Sequence, residues 1–161
     1  MSSLYKKKRA WSDLYESEMN QLATHLILEN NLMNVTFTPP TYREDALCGV
    51  DQYIDIERLK VAYRVRKWDA HEFWRWGFTL RTPHELKRVM SVKADGPDYM
   101  LYAVADEHEE GKIASAALID LKSVGFQLNQ HPEILREAEK SDYFVDLSYG
   151  AFPEDVVVGM R

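Results

Sequence analysis

Only one cysteine occurs in the chain, Cys48, which excludes an intramolecular disulfide and makes a reducing, cytosolic setting the expectation. No apolar run approaches the about 20 residues that a membrane-spanning helix needs, so no membrane partner is expected. The five histidines (His25, His71, His84, His108 and His131) show no ligand spacing, and zinc is not indicated. There is no phosphate-cradling glycine-rich loop, no Gly-x-Ser-x-Gly elbow and no Cys–His arrangement, which removes the common nucleotide-binding and acyl-transfer sites. The basic run Lys6-Lys7-Lys8-Arg9 precedes an amphipathic stretch rather than an apolar one, so secretion is not expected either.

What is present fits one domain. A chain of 161 residues with 45% hydrophobic residues can bury a sizeable core but not two comfortable ones. Four Trp, nine Tyr and six Phe make it somewhat rich in aromatics. The formal net charge is -6, yet charge is unevenly spread. Between Arg58 and Lys93 ten Lys and Arg stand against three acids, leaving ten basic and 23 acidic residues elsewhere. Such a segment reads either as one positive face suited to phosphate or as a set of solvated faces.

Residues 1–11 read as a basic, flexible leader, and 12–161 as the folded domain. Ser12 is the expected N-cap, with Asp13 and Glu16 in the first turn. Tyr15, Met19, Leu22, Ala23, Leu26 and Ile27 recur at helical spacing, predicting a helix from Asp13 to Asn30 that the Asn30-Asn31 pair ends. Val35 to Thr38 reads as a short edge strand before Pro39-Pro40. Gly49-Val50-Asp51 leads into a strand or turn, Tyr53 to Ile56. In Val61 to Arg66, Val61, Tyr63 and Val65 alternate with Ala62, Arg64 and Arg66, which predicts a strand with one buried face and paired guanidinium groups on the other.

Lys67 to Gly77 reads as a loop or hairpin connection crowded with Trp68, His71, Phe73, Trp74 and Trp76. Phe78 to Arg81 is the next strand, with Thr79 and Arg81 on its polar face. Thr82, Pro83 and Glu85 then open a helix as a capping box. Tyr99 to Ala105 and Ile113 to Leu121 are apolar enough to be strands covered on both faces and joined as a hairpin. Pro132 to Glu139 is a short helix, and Asp142 to Tyr149 a last strand.

The order of elements resembles the PD-(D/E)xK, or restriction-endonuclease-like, superfamily, in particular its small phage-type members. The segments that carry the likeness are GVD at 49–51, VAYRVR at 61–66, FTLR at 78–81, HEL at 84–86, DYMLYAV at 98–104 and KIASAALIDL at 112–121. It spans about Leu14 to Leu121. The resemblance implies a single α+β domain with a mixed sheet flanked by helices. It also implies Mg²⁺ held by a first acid and by an acid-x-Lys pair on the following strand, where residues two apart share a face. Carried over, the first acid is Asp51, the second position holds Ala62, and the lysine is replaced by Arg64. Ala62 cannot bind metal, and a guanidinium stays protonated and cannot act as a base, though it can clamp a phosphate. Glu18, Asp55, Glu57 and Glu85 are candidates for a migrated metal ligand. Glu85 is read first as a capping acid, and Asp51 equally as a turn acid after glycine.

Two functions follow as expectations. The first is a nucleic-acid-acting protein, either a small Mg²⁺-dependent DNA nuclease or a degenerate descendant that binds DNA without cutting it. Asp51 and Arg64 would then be catalytic, Asp51, Glu18 and Glu57 would hold metal, and Arg64, Arg66, Arg81, Trp74 and Trp76 would contact DNA, bases stacking on Trp while phosphates pair with Arg. The alternative is a protein-interaction module, an accessory or inhibitor protein without catalysis.

Overall fold

The computed structural model describes residues 3–33, 35–39, 41, 53–70, 77–91 and 96–161. It is a mixed α and β structure, one small domain. Asp51, Trp74 and Trp76, with His71 and Phe73, lie outside the described residues. No described helix is long and apolar enough to cross a membrane.

The chain opens with α1 (Ser3–Asp13) and α2 (Glu16–Glu29). The sequence reading puts a leader and one helix from Asp13 here; instead a turn at Leu14-Tyr15 separates two helices. Ser12 does not cap the second one, because its hydroxyl donates backward to the Arg9 carbonyl at 2.9 Å. The helix stop at Asn30-Asn31 is as expected. Asn31 has φ of 52°, a left-handed conformation that Asn tolerates.

Strands β1 (Val35–Thr38) and β2 (Tyr53–Ile56) pair antiparallel as a ribbon of their own. The main sheet has four strands: β3 (Val61–Arg66), β5 (Tyr99–Ala105), β6 (Ile113–Asp120) and β9 (Val157–Met160), in the order β3-β5-β6-β9. β3 and β5 are parallel, whereas β5–β6 and β6–β9 are antiparallel. The last β element, β9, and α4 (Leu121–Gln130) go beyond the elements read from the sequence.

Strand β4 (Gly77–Arg81) does not join that sheet. It pairs with β8 (Phe144–Ser148), and β8 with β7 (Glu139–Lys140), as a second, three-stranded sheet. The expected single mixed sheet is therefore divided. The alternation of β5 and β6 explains how the layers assemble. Leu101, Ala103, Ala105, Ala116 and Leu118 face Tyr15, Met19, Leu22, Ala23 and Leu26 of the α1–α2 layer. Met100, Tyr102, Val104, Ala117 and Ile119 face Phe78, Leu80, Val145 and Leu147 of the second sheet. Residues two apart share a face, so one hairpin with apolar side chains on both faces sits between two cores. Helices α3 (His84–Met90), α4 and α5 (Pro132–Glu137) complete the second core through Leu86, Val89, Val124, Leu128 and Ile134.

Candidate functional site

Strand β3 is the centre of the expected site, and its polar face is not free. Val61 and Val65 pack toward α2, while Ala62, Arg64 and Arg66 turn toward the second sheet. Both faces are thus covered, where the alternation alone predicts a solvent-facing cationic row. Arg64 Nη2 donates to both carboxylate oxygens of Glu85, at 2.7 and 2.6 Å, and Nη1 to the Thr79 carbonyl at 3.3 Å. Both side chains are nearly buried, 11% and 10% exposed. Burial lowers the pKa of the guanidinium, and the Glu85 charge and hydrogen bond oppose that shift; the group stays protonated at neutral pH.

Glu85 also accepts the Arg81 backbone N–H at 2.6 Å. The capping box read from Thr82 and Glu85 does not form: α3 has no side-chain cap, and the Thr82 N–H donates to the Tyr143 carbonyl at 2.9 Å. The capping role expected of Glu85 is thus not seen: its main partner is Arg64 across the gap between the sheets, with Arg88 Nη2 3.9 Å from its Oε1.

Arg66 is committed as well. Its Nη2 donates to Thr79 Oγ1 and its Nε to the Tyr102 hydroxyl at 3.3 Å. Its guanidinium carbon lies 4.7 Å from the Phe144 ring centroid, a cation–π contact. The two cations expected to meet phosphate are therefore inter-sheet ties. Arg81 differs, because its side chain is exposed.

The other expected ligands are not brought together. Glu18, in the first turns of α2, pairs with Lys112 at 3.5 Å. Glu57 is exposed near the far end of α2, lining a hollow with Thr24, Ile27 and Leu28. Separated by the length of that helix, they cannot share an ion that needs several oxygens in near-octahedral order. Among the described residues no group of three His, Cys, Asp or Glu side chains is placed to hold a metal ion. The described residues thus offer Mg²⁺ no fitting set.

Basic side chains do gather elsewhere. On α3, His84, Lys87 and Arg88 are exposed at three- and four-residue spacing, and Arg81 precedes them on β4. Glu85 is the one acid in α3 and it points inward. The sequence signal for this face is the basic excess around 81–93.

Sequence reasoning also missed Asp98. Its carboxylate accepts the Lys60 N–H at 2.8 Å and pairs with Lys122 Nζ at 2.7 Å. Its own N–H donates to the Lys60 carbonyl at 2.7 Å, and its carbonyl accepts from Leu121 N at 3.0 Å. It ties the starts of β3, β5 and α4. Burial opposes ionisation, but hydrogen bonds from Lys122 and the Lys60 N–H, with the charges of both lysines, hold the carboxyl below its ordinary value. A lowered folded-state pKa stabilises above the unfolded value near 3.9 and is lost as pH falls through the folded one. Asp98→Asn should therefore cost on the order of 1 kcal/mol at pH 7, because the Lys122 partner is solvent-exposed. Urea unfolding of both proteins at a series of pH values checks this: the difference should shrink on acidification below about pH 4. A difference that persists undiminished at low pH would rule out the charged pair as its source.

Comparison of the chain with protein-family models, with curated proteins and with solved structures finds no significant match to any of them.

Proposed function

We propose that the protein is a DNA-binding member of the restriction-endonuclease-like kind, in which binding does not depend on a metal-activated cutting site. One observation carries this reading: Glu85, the one acid of α3, is buried against Arg64 with Arg88 3.9 Å away, so the exposed charges on the outer face of α3 are those of Lys87 and Arg88. With Arg81 beside it, that face offers several cations in one short segment, the footprint that phosphate contacts need. Ala62 at the second-acid position and the engagement of Arg64 by Glu85 both favour a binding descendant over a nuclease.

Gel retardation of a DNA fragment across a salt series tests this. Wild-type protein should retard DNA at low salt, and Arg81→Ala, Lys87→Ala and Arg88→Ala should each weaken binding and flatten the salt slope by about one unit per lost phosphate contact. Lack of retardation at low salt, or an unchanged slope in the triple variant, would sink the reading. Mg²⁺-dependent cutting by the wild type would return the nuclease reading, with Asp51 the first residue to change. A protein-interaction module is favoured by a separate observation: Phe126 is 62% exposed beside a hollow of about 410 Å³ between α3 and α4. Phe126→Ser should leave DNA retardation unchanged if the two surfaces are independent.

A further inference from the structure

Two surfaces of the chain complement each other in charge. The first is α1, whose sequence carries Lys6-Lys7-Lys8-Arg9. Lys7, Arg9, Ala10, Ser12 and Asp13 are exposed, and among its described side chains Trp11 alone packs on the body, its ring centroid 4.9 Å from that of Tyr15. Isolated helices shorter than about 12–15 residues are marginal in water, so a second surface that takes the exposed side of α1 would stabilise it.

The second surface is a groove of about 770 Å³ between α5, β7, β8 and the turns that follow β8. Its floor is apolar, with Ile134 and Phe152, and its rim holds Glu137, Glu139 and Asp146 together with Glu133, which pairs with His131 at 3.0 Å. Glu139 and Asp146 stand directly opposite each other across the β7–β8 ladder. Like charges in that position are destabilising. Both keep their backbone pairing in that ladder, and the Arg66 charge partly offsets the effect of Glu139 on the Asp146 carboxyl.

The groove cannot receive α1 of its own chain. α1 joins α2 on one side of the four-stranded sheet, through Trp11 and Tyr15, while the groove belongs to the core on the opposite side. We infer that the acidic-rimmed groove takes the basic helix α1 of a second copy of this chain. The contact joins two different surfaces, so it is heterologous and adds copies head to tail, into a ring where the rotation closes and an open chain where it does not. It draws on charge complementarity and apolar burial, and it stands whether or not α3 binds DNA.

Sedimentation of the full chain over a concentration series decides the matter. At low salt the average mass should rise with concentration beyond that of a monomer. Raising the salt, which shortens the screening length from about 30 Å at 0.01 M to about 3 Å at 1 M, should bring it back. Lys7→Glu with Arg9→Glu should give monomers, as should Glu137→Lys with Glu139→Lys; all four side chains are exposed, and unchanged melting would verify the fold. Mixed together, the two charge-reversed proteins should form a complex that neither forms alone. A wild type that stays monomeric at low salt overturns the inference. So does association that ignores both pairs of changes, or a mixture that fails to combine.

Discussion

Glu85→Gln should lower folding stability by about 3–5 kcal/mol, a large fraction of what a domain of this size has. The change removes the counter-charge of a guanidinium that is 11% exposed and has no other carboxylate as close among the described residues. A capping acid would behave differently, since glutamine also closes a capping box and the loss would be small. Combining Arg64→Met with Glu85→Leu should recover most of the stability, because apolar replacement of both partners of a buried pair is often neutral or better. The Arg81 N–H, which Glu85 now accepts at 2.6 Å, would lose its partner in that double variant and limit recovery by about 1 kcal/mol. Urea midpoints of wild type, both single variants and the double variant complete the cycle. If the double variant is as unstable as the sum of the singles, the pair is not coupled and the account is wrong.

Gly125→Ala should be the other severe change. A Cβ at position 125 would come within 2.0 Å of the Val89 carbonyl oxygen and 3.0 Å of its carbon. That neighbour is helix backbone, which cannot rotate aside, so α3 and α4 must separate. Overpacking of this kind costs about 1–3 kcal/mol or more. The better helix propensity of alanine returns at most about 1 kcal/mol. The steric cost wins, and melting should fall by several degrees, at about 2–4 °C per kcal/mol. Gly150→Ala serves as the control, because a Cβ there meets only the Ser148 hydroxyl at 3.7 Å. Equal melting of the two variants would refute close helix contact as the cause.

The central hairpin was legible because its apolar runs are long and uninterrupted, and burial on both faces is the one arrangement that suits them. The amphipathic stripe of α2 was legible for a similar reason, although its start was not. Ser12 looks like a cap in one dimension, and only the backward bond to Arg9 reveals that a helix already precedes it. α4 hid behind the run IASAALIDL, yet Asp120 had the capping chemistry in plain sight: it accepts from Lys122 N at 2.9 Å and Ser123 N at 3.0 Å. The destiny of Arg64 could not be read locally. Its partner lies on α3, and nothing in the alternation of β3 says which layer will cover that face. Asp51, on which the metal reading turns, is outside the described residues.

The division of the strands into two sheets also sets an order of assembly. β5 and β6 are neighbours in sequence, joined by the short turn around Gly111, and can zip together early at little loop-closure cost. β4 must wait for β8, because α3, β5, β6, α4 and α5 all lie between those partners in the chain. The Arg64–Glu85 tie, the cationic face of α3 and the acidic groove all belong to this late-closing half. Partial opening should therefore release the candidate binding surfaces first, while the α2-covered hairpin keeps its amide protons longest in hydrogen exchange.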